Sequence, residues 1–178
     1  MDLLPVNEWL AVFARSANQF QQLLSCDITF MTNESFDWKP HLDCVASSDI
    51  GLKRKNNQDS HGVRLAHDMD DWRERGHLFV VADGMGAHAA GELASQLAVE
   101  QVSHLYRKHR ELSPPEAVHK AISEANDEIN RRGQANLSYH RMGTTCSSLL
   151  LLPQGAVVAH IGDSRIYRFR DGELEQLT

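Results

Sequence analysis

The sequence predicts an α+β domain built on largely antiparallel sheet. Three observations carry that expectation. Short apolar runs rich in β-branched residues occur at 77–83 and again from 143 to the end of the chain. Between them lies an uninterrupted block of two long amphipathic segments, 90–110 and 114–132. The chain has 178 residues, 42% of them apolar, which suits one domain with a real core. Strands on either side of a helical block describe α+β better than an alternating α/β pattern.

Taken in order, residues 5–25 carry Trp9, Val12, Phe13, Phe20, Leu23 and Leu24 at roughly helical spacing, with Asn7 as a cap. A helix is expected there, packed on its own domain or docked on another chain. Residues 26–41 are mixed and polar and end at Lys39-Pro40 like a linker. The chain therefore divides into an N-terminal helical and linker extension, 1–43, and a domain over 44–178. Within the domain, 42–51 and 60–66 read as strands, and HLFVVAD (77–83) as a buried strand ended by glycines. The first helix presents Leu93, Leu97, Val99, Val102 and Leu105 as its stripe. The second has Ser113 as cap and Pro114 in its first turn, and Gly133 is expected to end it. GTTCSSLLLL, AVVAHIG and RIYRFR are three further strands, the first two joined by a Pro-Gln-Gly turn. DGELEQLT adds a turn at Asp171-Gly172 and a last strand.

Charge and composition exclude several functions. Net charge is −6, which disfavours a nucleic-acid partner. The charge is uneven: residues 1–43 hold six acids against Arg15 and Lys39. Cys26, Cys44 and Cys146 are odd in number and far apart, which fits a reducing cytoplasm better than a disulfide framework or a zinc site. No apolar run approaches the roughly 18 residues of a membrane span, and no secretory signal opens the chain.

Four stretches place polar residues and glycines against strands: GLKRKNNQDS (51–60), ADGMGAHAAGE (82–92), RMGTTCSS (141–148) and HIGDSRIYR (160–168). Each alone reads as a turn. Asp83 is the informative residue, because its carboxylate stands where a buried strand stops and Gly84 lets the chain turn and expose a carbonyl oxygen. Carboxylate and carbonyl are hard oxygen ligands suited to Mg²⁺ or Mn²⁺. Asp59 could add a second acid. Arg54 carries a planar fork that matches phosphate oxygens. Two metals and one arginine make a workable set for hydrolysing a phosphate ester.

Together, the four stretches resemble the metal-dependent Ser/Thr protein phosphatases of type 2C, especially their bacterial branch. That family's elements R-x-x-N-[EQ]-D, D-G-M-G-G-H, G-T-T and G-D-S-R-x-Y appear in order. They are Arg54…Asn57-Gln58-Asp59, Asp83-Gly84-Met85-Gly86-Ala87-His88, Gly143-Thr144-Thr145 and Gly162-Asp163-Ser164-Arg165-Ile166-Tyr167. The resemblance covers 44–178 and implies a β-sandwich of antiparallel sheets flanked by helix pairs, four layers in αββα order and incomplete at the C-terminus. It implies a binuclear Mn²⁺ or Mg²⁺ centre in which Asp83 bridges both ions, the Gly84 carbonyl ligates one and Asp59 binds directly or through water. Asp163 becomes a candidate ligand of a third, weaker metal, or else a turn residue that orders its loop. Arg54 would grip the phosphate of a phospho-Ser/Thr protein substrate, so Arg54, Asp59 and Asp83 form the expected catalytic set. Gln58 stands where many members have Glu, and Ala87 where Gly is common. Met85 fills the position after Asp-Gly at which some relatives carry a histidine acid, so His88 receives no such role.

The family's further Asp-Gly and Asp-Asn ligand motifs are expected beyond Thr178. Two functional classes therefore stand: a phosphatase polypeptide, or a catalytically impaired fragment or pseudophosphatase that serves as a binding or regulatory module. A nucleotide-binding reading on Gly84, Gly86 and Gly91 fails on spacing, since neither GxGxxG nor Gly-Lys-Ser/Thr is present.

Overall fold

A computed structural model describes residues 42–50, 56–86 and 90–178, together with the backbone of 10–14. The strands are β1 (Leu10–Ala14), β2 (Asp59–Arg64), β3 (His77–Met85), β4 (Gly143–Thr144), β5 (Cys146–Leu152), β6 (Gly155–Ile161), β7 (Arg165–Arg170) and β8 (Glu173–Gln176). The helices are α1 (Met69–Arg75), α2 (Ala90–Lys108) and α3 (Pro114–Ala135), followed by one 3₁₀ turn, Leu137–Tyr139. All strand pairs are antiparallel. One sheet runs β2-β3-β5-β6, with β4 extending the end of β3; the other runs β1-β7-β8.

Strand alternation sorts the first sheet into two faces. Leu78, Val80 and Ala82 of β3, with Cys146, Leu150 and Leu152 of β5, join the core formed with α2 and α3. The helices offer Ala94, Ala98, Ala117, Ala121 and Ala125, all buried, and such small side chains let the two helices and the sheet approach closely. Leu150 is wholly buried, and burying such a side chain contributes about 1.5–3 kcal/mol. Every residue of β5 is buried, so the sheet's other face is covered there as well.

Helix ends follow local chemistry. Asp68 caps α1, accepting from the backbone N–H groups of Asp70 and Asp71 at 3.0 and 2.8 Å. At the start of α3, the Glu116 carboxylate accepts from the Ser113 backbone N–H at 3.1 Å and from its hydroxyl at 2.6 Å.

Three sequence expectations are corrected and one element is added. Residues 10–14 form a strand, not part of a helix over 5–25: Leu10 pairs with Phe169 and Ala14 with Arg165. LAVFA is a short apolar run, ambiguous between helix and strand, and the edge of β7 supplies the backbone partners that decide it. The rest of 5–25 lies outside the described residues. Residues 42–50 alternate in exposure only as far as Ser47 and join no ladder, so they are not a strand. The helix α3 passes through Gly133 and ends at Ala135, where Asn136 takes an extended conformation. Finally, α1 lies in a segment assigned no element, although Asp68 and a first turn bearing Asp70 and Asp71 mark its start. Of the four layers expected, the described residues hold two sheets and one helix pair.

Candidate metal centre

Asp59 and Asp83 face each other directly. Asp59 opens β2, Asp83 stands near the end of β3, and the two are register partners. Opposed residues of an antiparallel pair point to the same face, with Cβ atoms about 4.5–5.5 Å apart. The neighbouring pair Ser60–Ala82 points to the helices, where the Ser60 and Ser95 hydroxyls meet at 3.0 Å. The two carboxylates therefore point away from α2 and α3.

Each acid is fixed by its neighbours. The Asp59 backbone N–H donates to Asn57 Oδ1 at 3.0 Å, and Asn57 Nδ2 donates to Ser48 Oγ at 2.7 Å, which ties the loop at 48 to the start of β2. Thr145, in the break between β4 and β5, holds the backbone of Asp83 from both sides. The Asp83 N–H donates to Thr145 Oγ1 at 2.9 Å, and the Thr145 N–H donates to the Asp83 carbonyl at 3.0 Å.

Gly84 occupies a position that no side chain could share. A Cβ there would lie 2.0 Å from the carbonyl oxygen of Gly91 in α2 and 2.7 Å from that of Gln58. The Gly84 N–H donates to the Gln58 carbonyl at 2.9 Å, and Gln58 Nε2 reaches the Gly86 carbonyl at 3.4 Å. The segment before β2, the end of β3 and the start of α2 thus meet at one backbone junction beside the acidic pair.

Asp163 approaches the same place through Thr145. It is exposed in the turn between β6 and β7. Gly162 takes φ +106° there, and a Cβ on it would strike the Thr145 side chain at 2.7 Å. The hydroxyls of Ser164 and Thr145 lie 2.7 Å apart, so one hydroxyl links the turn to the backbone of Asp83. His160 braces the turn. Its Nε2 sits 2.9 Å from the Gly162 carbonyl, which can only accept, so Nδ1 is the acceptor for the Ser147 hydroxyl at 2.9 Å. Arg54 and His88 lie outside the described residues.

Thr145 and Ser164 were the residues that sequence reasoning passed over. Both belong to stretches already singled out, but a hydroxyl that bonds a distant backbone N–H, as in Thr145, or another hydroxyl, as in Ser164, leaves no periodic signal.

Among the described residues the opposed pair concentrates negative charge. Like charges directly opposed across a strand pair destabilise it. Asp83 is 8% exposed, and Asp59 Oδ1 is buried without a hydrogen-bond partner among the described residues. An unmet buried carboxylate oxygen costs about 1–3 kcal/mol or more. A hard divalent cation would remove both penalties, and the oxygen donors suit Mn²⁺ or Mg²⁺. The described residues include no cluster of three or more His, Cys, Asp or Glu side chains, so the pair supplies only part of a six-coordinate shell.

Comparison with known proteins shows the family to which the chain belongs. The family model described as protein phosphatase 2C matches residues 53–178. The serine/threonine protein phosphatase PstP of Mycobacterium tuberculosis is 38% identical over 139 residues, covering 77% of this chain and 24% of that protein. The serine/threonine phosphatase stp of Listeria monocytogenes is 33% identical over 135 residues, covering 74% of this chain and 51% of that protein. The crystal structure of the PstP catalytic domain in complex with two manganese ions superposes with a TM-score of 0.59 at 36% identity, over 74% of this chain and 53% of that one. For the serine/threonine phosphatase Stp1 of Staphylococcus aureus the TM-score is 0.60 at 28% identity, over 73% and 50%. The chain thus spans about half the length of the Listeria relative and about a quarter of PstP.

Proposed function

The chain belongs to the protein phosphatase 2C family, and from that premise we propose that it forms the N-terminal part of a metal-dependent Ser/Thr protein phosphatase. The reaction is hydrolysis of a phosphate monoester on a phosphoprotein. The observation that carries the reading is the direct opposition of Asp59 and Asp83, with a buried Asp59 oxygen left unmet. Two like charges set opposite each other and an unmet buried oxygen favour a bound cation at this place.

In this reading Asp59, Asp83 and the Gly84 carbonyl hold the Mn²⁺ or Mg²⁺ ions, and Asp163 serves a third, weaker site. The ions supply positive charge that acidifies a bound water and offsets charge on the phosphoryl oxygens. The chain's own work is positioning. Thr145 fixes Asp83 and, through Ser164, sets the distance of the Asp163 turn. Gly84 admits the close approach that closes the site from the α2 side. Arg54 binds the substrate phosphate with its planar fork. The described residues contain no helix long and apolar enough to cross a membrane. A reducing, cytoplasmic setting suits the Cys146 thiol, which burial pushes up to about 11 and so keeps unreactive.

The test is turnover of a phospho-Ser/Thr peptide with Mn²⁺. The 178-residue chain alone is expected to be slow, because two or three carboxylates hold hard cations weakly. Joined to the C-terminal segment of a relative such as the Listeria enzyme, it should turn over in a chelator-sensitive way. There, Asp83→Asn should abolish activity and Arg54→Ala should chiefly raise KM. Activity that survives Asp83→Asn would refute the assignment.

A further inference from the structure

At the end of β2 farthest from Asp59, four arginines converge. Arg64 closes β2, Arg75 closes α1, Arg107 lies in the last turn of α2, and Arg110 follows it. With Asp71 and Tyr106 they line one small cleft. Five residue steps along β2 put it about 17 Å from the acidic pair.

Asp71 is the carboxylate within the cleft, and it is loosely engaged. Its Oδ2 accepts from the His67 backbone N–H at 3.0 Å and stands 3.6 Å from Arg64 Nη2. Its Oδ1 stands 3.6 Å from Arg110 Nη2, which is also 3.6 Å from Glu74 Oε2. All three ion pairs exceed hydrogen-bond length. Arg107 has no hydrogen bond or ion pair among the described residues.

Arg75 is different. It is 6% exposed and held rigidly, donating to the Leu112 carbonyl at 3.1 Å and the Tyr106 carbonyl at 2.8 Å. Its guanidinium lies 4.3 Å over the Tyr106 ring, whose hydroxyl donates back to the Arg75 carbonyl at 2.6 Å. It forms a fixed positive wall. Four guanidinium groups therefore face two carboxylates. Burial, then repulsion from Arg107, holds the Arg64 guanidinium below its ordinary pKa, against the opposing pull of Asp71.

We propose that a phosphate-type dianion sits at the open mouth of this cleft, whose interior of about 10 Å³ admits a single water. It is gripped by Arg107 and Arg110 from the exposed side and by Arg64 beneath, above the fixed charge of Arg75. A dianion balances the excess of two charges. Guanidinium forks match phosphate oxygens two at a time, which the 3.6 Å pairs with Asp71 do not achieve. Asp71 is then a competitor for the same donors, so its neutralisation strengthens the site.

The test is calorimetric titration of the full chain with inorganic phosphate, in chelator and at low ionic strength, with O-phosphoserine in a second arm. One saturable site that persists in Arg54→Ala, where the substrate site is removed, is expected. Arg107→Gln, at an exposed position, should weaken it about tenfold, and Arg64→Gln similarly. Asp71→Asn, which can still accept from His67, should tighten it. Arg54→Ala should leave it intact, which separates this cleft from the substrate site. Binding of phosphoserine with similar affinity identifies a phosphomonoester as ligand, and binding of phosphate alone identifies the free ion. The proposal is overturned by absence of saturable binding, by affinity unchanged in both arginine variants, by weakening in Asp71→Asn, or by loss in Arg54→Ala.

Discussion

The two faces of the β2–β3 hairpin are built from the same two strands and obey opposite rules. On the helix face, Leu78, Val80 and Ala82 are packed into the core, and the one polar residue contributed by β2 near its start, Ser60, finds the Ser95 hydroxyl. On the other face, Asp59 and Asp83 oppose each other, and a buried oxygen of Asp59 has no partner among the described residues. The first face satisfies itself. The second leaves one carboxylate oxygen unmet among the described residues. The difference separates the part of the hairpin that contributes stability from the part that gives some up for function.

That contrast yields predictions of graded size. On the packed face, Leu150→Ala should cost about 3 kcal/mol, read as a shift of the urea midpoint at unchanged slope. A smaller effect comes from His77, buried and stacked on Trp72 with ring centroids 4.5 Å apart, whose Nδ1 accepts from the Ala66 N–H at 2.9 Å. Burial, opposed by Asp71, lowers its pKa to about 4. The unfolded chain takes up this proton near pH 6.5 and the folded chain only near 4, so folding is favoured fully above 6.5 and progressively less down to 4. The loss should be on the order of 2 kcal/mol, and His77→Gln should flatten this part of the stability profile. Thr145→Val should cost about 1–2 kcal/mol, because the Asp83 N–H loses its acceptor. The same variant should weaken Mn²⁺ binding without removing any metal ligand, and unchanged Mn²⁺ affinity would show that Thr145 does not position Asp83.

Most of the packed face was legible in the sequence. HLFVVAD and CSSLLLL announce buried strands, and the stripes of α2 and α3 announce the helices that cover them, because burial imposes a period. What was not legible depends on partners far away in the chain. LAVFA becomes a strand because β7 offers an edge, whereas residues 42–50 pair with no strand among the described residues. The candidate site was half visible. Asp59, Asp83, Gly84 and Asp163 stand out as acids and a glycine at strand ends, yet the register that sets Asp59 against Asp83 and the Thr145 link between Asp83 and Ser164 exist only once the strands pair.

The most direct measurement is thermal unfolding of the wild-type chain and Asp59→Asn, each with chelator and with Mn²⁺. If the opposed carboxylates are kept for metal, removing one charge should relieve repulsion in the metal-free protein. Asp59→Asn is then expected to unfold a few degrees higher in chelator, a gain of roughly 0.5–1 kcal/mol, while Mn²⁺ raises the wild-type midpoint and leaves the variant nearly unmoved. An Asp59→Asn protein that unfolds lower in chelator, yet still gains as much from Mn²⁺ as the wild type, would contradict the account: the acid would then be structural and the metal held elsewhere.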